Sequence, residues 1–222
     1  MPPTATIEDI KAYLEQVEKN QITPQNLPDC KRCGLAALNF KIHAYRERRF
    51  LIIVDMTVQP EHAPLVRFRC PACNKTVCYY PDFALPHKHY TRQSIMGFAE
   101  NYFASEKTTY QQALMDKQQL SVPGYPDGEK SLWPSTVHRW VTALSKLPQT
   151  TQTALNLIGQ ENPATRGFRD LAQLTIASGK YKRPSRKKHL LGCLRLLVVE
   201  AFFKVTFNLS IFTNLAIHCA FA

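Results

Sequence analysis

The sequence predicts an α+β protein, a small β zinc ribbon followed by a mostly helical domain with a helix-turn-helix. Three observations predict it. Two Cys-x-x-Cys pairs, Cys30/Cys33 and Cys70/Cys73, stand apart in the chain; a period-two apolar pattern lies between them; and helical periodicity runs through most of the chain after Tyr90. The expected parts are an N-terminal helical arm over 1–29, the ribbon over 30–93, the helix-turn-helix over 94–150, and a C-terminal helical segment with a basic run over 151–222.

The arm opens on a capping-box pattern, Thr6 three residues before Asp9. Ile7, Ile10, Leu14 and Val17 then recur at helical spacing, which predicts a helix over about 7–19. Pro24 and Pro28 end it and carry an extended chain to Cys30. Between the cysteine pairs, Phe40, Ile42 and Ala44 alternate with Lys41, His43 and Tyr45, Phe50 to Val58 is an apolar, β-branched-rich run, and Leu65 to Arg69 fits a third short strand. That reading puts Arg46, Arg48 and Arg49 near a hairpin turn. It also puts Arg67 and Arg69 on one strand face leading into the second cysteine pair.

From Tyr90 onward, Ile95, Phe98, Ala99 and Phe103 predict one helix, and Tyr110, Ala113 and Leu114 a second. Pro123, Gly124, Pro126 and Gly128 enforce a loop. Pro134 then sits at a first helical position, and Val137, Trp140, Val141 and Leu144 form an apolar stripe, completing a three-helix arrangement. Further helices are expected around Thr151–Ile158 and Phe168–Ala177. The basic run Lys180, Lys182, Arg183, Arg186, Lys187 and Lys188 follows, and then a strongly apolar 190–222 whose only charges are Arg195, Glu200 and Lys204. This last stretch is expected to pack inside the protein as helix with its charges along one edge.

A chain of 222 residues with 45% hydrophobic content can bury a real core, which excludes a disordered polyelectrolyte. Its net charge of +11 is unevenly placed. Residues 30–93 and 148–222 each carry +7, whereas 1–29 carry −3 and 94–147 are neutral. Two basic blocks form the footprint that phosphate backbones attract by counterion release; charge serving solubility alone is the competing explanation.

Seven cysteines raise the question of disulfides. The first residues have no cationic stretch ahead of an apolar one, so a reducing, cytoplasmic setting is expected and metal ligation is favoured over disulfides. Zinc takes four tetrahedral thiolates, and two residues between cysteines let both sulfurs of a tight knuckle reach one ion. Cys30, Cys33, Cys70 and Cys73 therefore predict one structural Zn²⁺, because four protein ligands leave no open position for an activated water. The 36 intervening residues are long for a minimal ribbon, but a hairpin returns its two ends to one place. A rubredoxin-type iron site uses the same ligands; an electron carrier gains little from an arginine-rich ribbon. Cys78 reads as a strand residue, and His87 and His89 as solvated loop residues.

The stretch from Trp133 to Trp140 has the character of a recognition helix. Ser135, Thr136, His138 and Arg139 form a polar face, and Val137, Trp140 and Val141 a packing face. A core helix with no ligand shares that amphipathic pattern. Arg67 to Cys73, with its Cys70-Pro71-Ala72-Cys73 knuckle, and the following Pro81-Asp82-Phe83-Ala84-Leu85-Pro86 ahead of Tyr90 resemble an uncharacterised family of bacterial zinc-ribbon proteins. That family is often found with mobile elements and looks like the DNA-binding front end of insertion-sequence transposases. The likeness extends into Ser135–Trp140 and Lys180–Arg183. Asn74 stands where glycine usually follows the second pair.

The resemblance implies double-stranded DNA as partner, with a transposase or recombinase subunit as a further one, and an accessory or regulatory role in a mobile element. Phosphate contacts then fall to Arg46, Arg48, Arg49, Arg67 and Arg69 on the ribbon and to Lys182, Arg183, Arg186, Lys187 and Lys188 beyond it. Arg139 is the candidate for a base edge, since its fork can bind guanine bidentately. No enzymatic activity is expected: only Glu161, Asp170 and Glu200 are acidic in the 75 residues after Leu147, too few residues and carboxylates for an RNase H-like transposase core. The competing class is a zinc protein-interaction module tethered to a membrane by the tail, in which 12 of the 18 residues from Val205 to Ala222 are apolar. Asn208, Asn214 and His218 are costly in hydrocarbon, so a membrane is not the expected partner.

Overall fold

Elements form in this chain where periodicity and turn chemistry coincide. The structure is a computed structural model and describes residues 7–54, 57–115, 132–161, 174 and 183–214. It is α+β, an antiparallel sheet followed by a mostly helical region. Described residues up to Ser94 build one compact unit, and those from Ile95 to Asn214 build another.

In the first unit, helix α1 (Ile7–Glu18) ends one residue short of expectation, and Thr6 lies outside the described residues. Its most buried side chains are Ile10 and Tyr13, with Ile7, Leu14 and Val17 packed partly beside them. Tyr13 donates a hydrogen bond to Pro64 O at 2.8 Å and meets Phe83 edge-on, which in turn meets Phe50 edge-on. This aromatic column ties α1 to the sheet.

The sheet has strand order β1 (Lys41–Val54), β2 (Thr57–Arg69), β3 (Thr76–Cys78), all antiparallel. It departs from expectation in three places. Phe50–Val58 is not one strand, because the antiparallel ladder extends to the pair Val54↔Thr57 and so divides these residues between β1 and β2. Leu65–Arg69 is the second half of β2 and no separate strand. Pro60 and Pro64 sit inside β2, where they look like breakers in the sequence. Val66 O accepts from Tyr79 N and Pro64 O from Tyr13, so these even-numbered positions turn their polar groups away from β1, and the missing proline donors cost no β1–β2 bond. A register shift between Ile42 and Ala44 also interrupts the expected alternation, leaving Ile42 44% exposed.

In the second unit, α2 (Arg92–Phe103) contributes Ile95, Phe98, Ala99 and Tyr102 to the core from Ile95 on, followed by the short α3 (Gln112–Met115), α4 (Pro134–Leu144) and α5 (Pro148–Glu161). Helix α4 starts with proline in its first turn and buries Val137, Trp140, Val141 and Leu144, the predicted stripe. Trp140 packs against Phe98 with ring centroids 5.6 Å apart. The helix predicted at Phe168–Ala177, and Lys180 and Lys182 of the basic run, lie outside the described residues.

The long α6 (Pro184–Phe207) begins within the basic run, with Arg183 at its N-cap, and ends at Asn208 in a left-handed conformation. It buries Leu190, Cys193, Leu196, Leu197, Val199 and Phe203 as expected. The expectation that its charges lie along one exposed edge is wrong for Glu200, which is 2% exposed. Its carboxylate accepts from Ser210 Oγ and Ile211 N, both at 2.8 Å, where α7 (Ile211–Asn214) begins, and pairs with Lys204 at 3.1 Å. A helix start needs acceptors for its free amides, and this carboxylate supplies one from eleven residues upstream. Among the described residues no helix is long and apolar enough to cross a membrane.

Candidate metal centre and basic surfaces

The two ends of the hairpin carry the same local structure twice. Cys30 N donates to Leu35 O and Gly34 N to Cys30 O; Cys70 N donates to Lys75 O and Asn74 N to Cys70 O, all at 2.8–2.9 Å. Each loop thus closes back on its first cysteine. The fifth residue of each, Gly34 at φ +72° and Asn74 at φ +60°, is left-handed. Asparagine tolerates that region better than other side chains, so the second knuckle closes as the first does without its glycine.

These loops bring the Sγ atoms of Cys30, Cys33, Cys70 and Cys73 within 4.8 Å of one another. Cys30–Cys73 is 3.4 Å and Cys33–Cys70 3.5 Å, far longer than a disulfide, and the cysteines are free thiols. Thiolates at 2.3 Å from a tetrahedral ion stand about 3.8 Å apart, so the donor set fits such an ion with small adjustments. Cys78 lies in β3 and is outside the cluster.

The backbone prepares the sulfurs for ionisation. The amides of Arg32 and Cys33 point at Cys30 and hold its thiol down to about 6. The Leu35 amide favours the Cys33 thiolate likewise, but the hydrogen bond with Cys70 and desolvation outweigh it and push that thiol up to about 12. At Cys73 the Lys75 amide is outweighed by desolvation and Cys30, and its pKa is raised. One thiolate forms readily; more negative charge in so small a volume needs a cation.

The arginines expected at a turn are mid-strand: Arg46 pairs with Leu65, Arg48 with Ala63 and Arg49 with His62. Arg46 and Arg69 are exposed, and Arg49 and Arg67 half-buried. Arg48 shares the strand face of Phe50, lies over the Phe50 and Tyr80 rings, and donates through Nη2 to Lys88 O at 2.5 Å and Leu85 O at 3.4 Å. Its guanidinium fastens the 85–88 segment to the sheet. Arg67 donates to Thr76 Oγ1 at 2.9 Å between β2 and β3.

In the second unit, Ser135, His138 and Arg139 are exposed on α4 and Thr136 is half-buried. Arg139 Nε lies 3.3 Å from Ser135 O. Burial, then Arg186, His189 and Arg139 close by, keep His138 below its usual value, so its imidazole is neutral at pH 7. On α6, Arg183, Lys187 and Lys188 are exposed. Arg186 instead reaches across to α4, donating to Thr142 Oγ1 at 2.6 Å and to the Tyr110 hydroxyl. Ser145 Oγ and His189 Nδ1 are 2.8 Å apart. Both pairs are 44 residues apart, so α4 and α6 run in the same direction here and their starts face the same way. Gly192 lets them approach: a β-carbon there would meet Ser145 O at 3.2 Å. Nothing in the sequence paired Tyr110 with Arg186, since the contact spans 76 positions.

Residues 30–118 match a family described as Domain of unknown function (DUF6431), a stretch that starts at the first cluster cysteine. No curated protein and no solved structure matches the chain.

Proposed function

We propose that the chain is a zinc-dependent, non-enzymatic protein that binds double-stranded DNA in the cytoplasm, as an accessory or regulatory partner of a transposase or recombinase. The observation that carries this reading is the shared direction of α4 and α6, whose starts face the same way. Ser135, His138 and Arg139 on α4, and Arg183, Lys187 and Lys188 at the start of α6, which packs beside the end of α4, are exposed, with no acidic residue in either first turn. Two helix starts and four permanent cations favour phosphate oxygens, while the polar face of α4 offers donors to base edges in the major groove. Zinc closes the knuckles and so fixes the strands that carry Arg46, Arg49, Arg67 and Arg69.

Titration of zinc-loaded protein against duplex DNA at several salt concentrations tests the reading. Affinity falling steeply with salt is the expected result, and absent or salt-independent binding overturns it. The second reading, a protein-interaction module, rests on Leu38, Ile42 and Tyr45, exposed at 68%, 44% and 48% around the start of β1. It predicts partner binding without that salt dependence.

A further inference from the structure

Beside β1, within the first unit, lies a cleft of about 460 Å³, within the size range of small-molecule pockets. Its walls are β1 and the segment running through His87 and His89, and no cluster cysteine lines it. The segment joins the edge of β1 at Leu51, whose N donates to His89 O at 2.8 Å, and is fastened again by Arg48 through Leu85 O and Lys88 O. Between these anchors the lining is dominated by cations and imidazoles, Arg46, Arg49, His87 and His89, against one carboxylate, Glu47. Tyr80 and Leu65 supply an apolar part of the wall.

The placing of His87 adds to this. Lys88 N donates to Leu85 O at 3.2 Å around Pro86 and His87, and His87 has φ +59°. Proline followed by a left-handed residue makes the pattern of a type II turn, in which glycine or asparagine is favoured at the second place. The other left-handed non-glycine residues described, Asn20, Asn74 and Asn208, are all asparagines. Here an exposed imidazole occupies that left-handed position on the rim of a cationic cleft, where glycine or asparagine is the usual occupant.

We propose that this cleft binds a phosphate-bearing ligand about the size of one nucleotide, gripped by Arg46, His87 and His89, with Arg48 as the positioning residue that holds the wall. Two or three donors of charge-assisted hydrogen bonds suit a phosphate's oxygens, and the Tyr80 side of the wall suits the uncharged remainder. The cleft does not depend on duplex binding, because a site for one phosphate group can act with or without helical readout.

Calorimetric titration of the zinc-loaded full chain with inorganic phosphate, with adenosine monophosphate, and with a short single strand carrying or lacking a 5′-phosphate tests it. The expected result is one saturable site, with R46Q and H89Q each weakening binding about tenfold. E47Q should tighten binding by removing the opposing charge. H87G should weaken binding while leaving the unfolding temperature unchanged or higher, since glycine suits the turn. Tighter binding of the mononucleotide than of the strands identifies a free nucleotide as the ligand; binding of the phosphorylated strand alone identifies a strand end. No saturation up to about 10 mM of any probe, or affinities unmoved in all these variants, overturns the proposal. Loss of duplex binding with the phosphate site intact would overturn the DNA reading and leave this one standing.

Discussion

Gly34 and Asn74 occupy the same place in two copies of one loop, each left-handed and each donating its amide to the first cysteine of its knuckle. A β-carbon on Gly34 would meet nothing within 4 Å, so glycine is needed there for backbone freedom and not for space. Gly34→Ala should therefore lower stability by about 1 kcal/mol through strain alone. Asn74→Gly should be near neutral and Asn74→Ala should behave like Gly34→Ala. Denaturant unfolding of the metal-loaded protein checks all three; a Gly34→Ala cost well beyond that of Asn74→Ala would show that the loops are not equivalent.

Metal removal follows from the same site. Cys30→Ser or Cys70→Ser should abolish tight zinc binding and loosen residues 30–80, seen as faster amide exchange there, because metal binding and folding of such a sheet are coupled. In the metal-free protein Cys30, held at about 6 against an ordinary value of 9, favours the fold above pH 9 and loses that contribution as pH falls through 6. Cys33, pushed up to about 12, acts oppositely: its contribution is present below 9 and is lost as pH rises toward 12. Zinc binding at pH 7 should thus release protons from the other thiols more than from Cys30. Titrations in buffers of different ionisation enthalpy count them.

Tyr13 joins α1 to β2 by a hydrogen bond and an aromatic contact together. Tyr13→Phe should cost about 1 kcal/mol, the net worth of the bond to Pro64 O, and Tyr13→Ala about 3–5 kcal/mol, since the ring is lost as well. Desolvation, and then Tyr79 close by, raise the Tyr13 pKa, so its hydroxyl stays protonated through the alkaline range in the native protein. Loss of this stability below pH 10 would contradict the assignment.

How far the sequence was legible varies with the range of the interactions. The four cysteines, the stripe of α4 and the extent of α1 are written in spacings of two to four residues, and the structure places them as read. The hairpin is misplaced in that reading because Phe50–Val58 looks like one apolar strand, and only the cross-strand partners show that it divides between β1 and β2 and that Pro60 and Pro64 fit inside β2 without costing the β1–β2 ladder a bond. Arg48 and Arg186 look like any other cation in a basic run. Their engagement by Lys88 O and by Thr142 is a fact of tertiary structure, spanning 40 and 44 positions. Likewise Glu200 reads as an edge charge until the chain turns back to place Ser210 and Ile211 beside it.

Glu200 should accordingly be among the most sensitive positions of the second unit. Glu200→Ala leaves the Ile211 amide and Ser210 hydroxyl without their acceptor and opens a void, for an expected loss of about 2–4 kcal/mol. Glu200→Gln keeps one acceptor oxygen and should cost less. Ser210→Ala removes a single bond and should cost about 1 kcal/mol. Denaturant unfolding checks the order, with Glu200→Ala the most damaging, Glu200→Gln intermediate and Ser210→Ala the mildest.

The basic starts of α4 and α6 separate roles that look alike in the sequence. Arg186 is built into the helix–helix packing through Tyr110 and Thr142, so Arg186→Ala should lower stability and weaken DNA binding together. Lys187 and Lys188 are exposed, so replacing them with alanine should leave stability within about 0.5 kcal/mol of the parent. That double variant should weaken binding to every duplex alike and flatten the salt slope by about 0.9 for each phosphate no longer neutralised. Arg139→Ala should do neither: a bidentate base contact is worth roughly 1–3 kcal/mol of discrimination, so the specific site weakens while unrelated sequences bind as before. His138 is neutral at pH 7 and adds no charge to the salt slope, so His138→Gln should leave the slope unchanged. An Arg139→Ala loss that is equal on all sequences would reassign that arginine to the phosphates, and an unchanged salt slope in Lys187→Ala/Lys188→Ala would remove the start of α6 from the DNA interface.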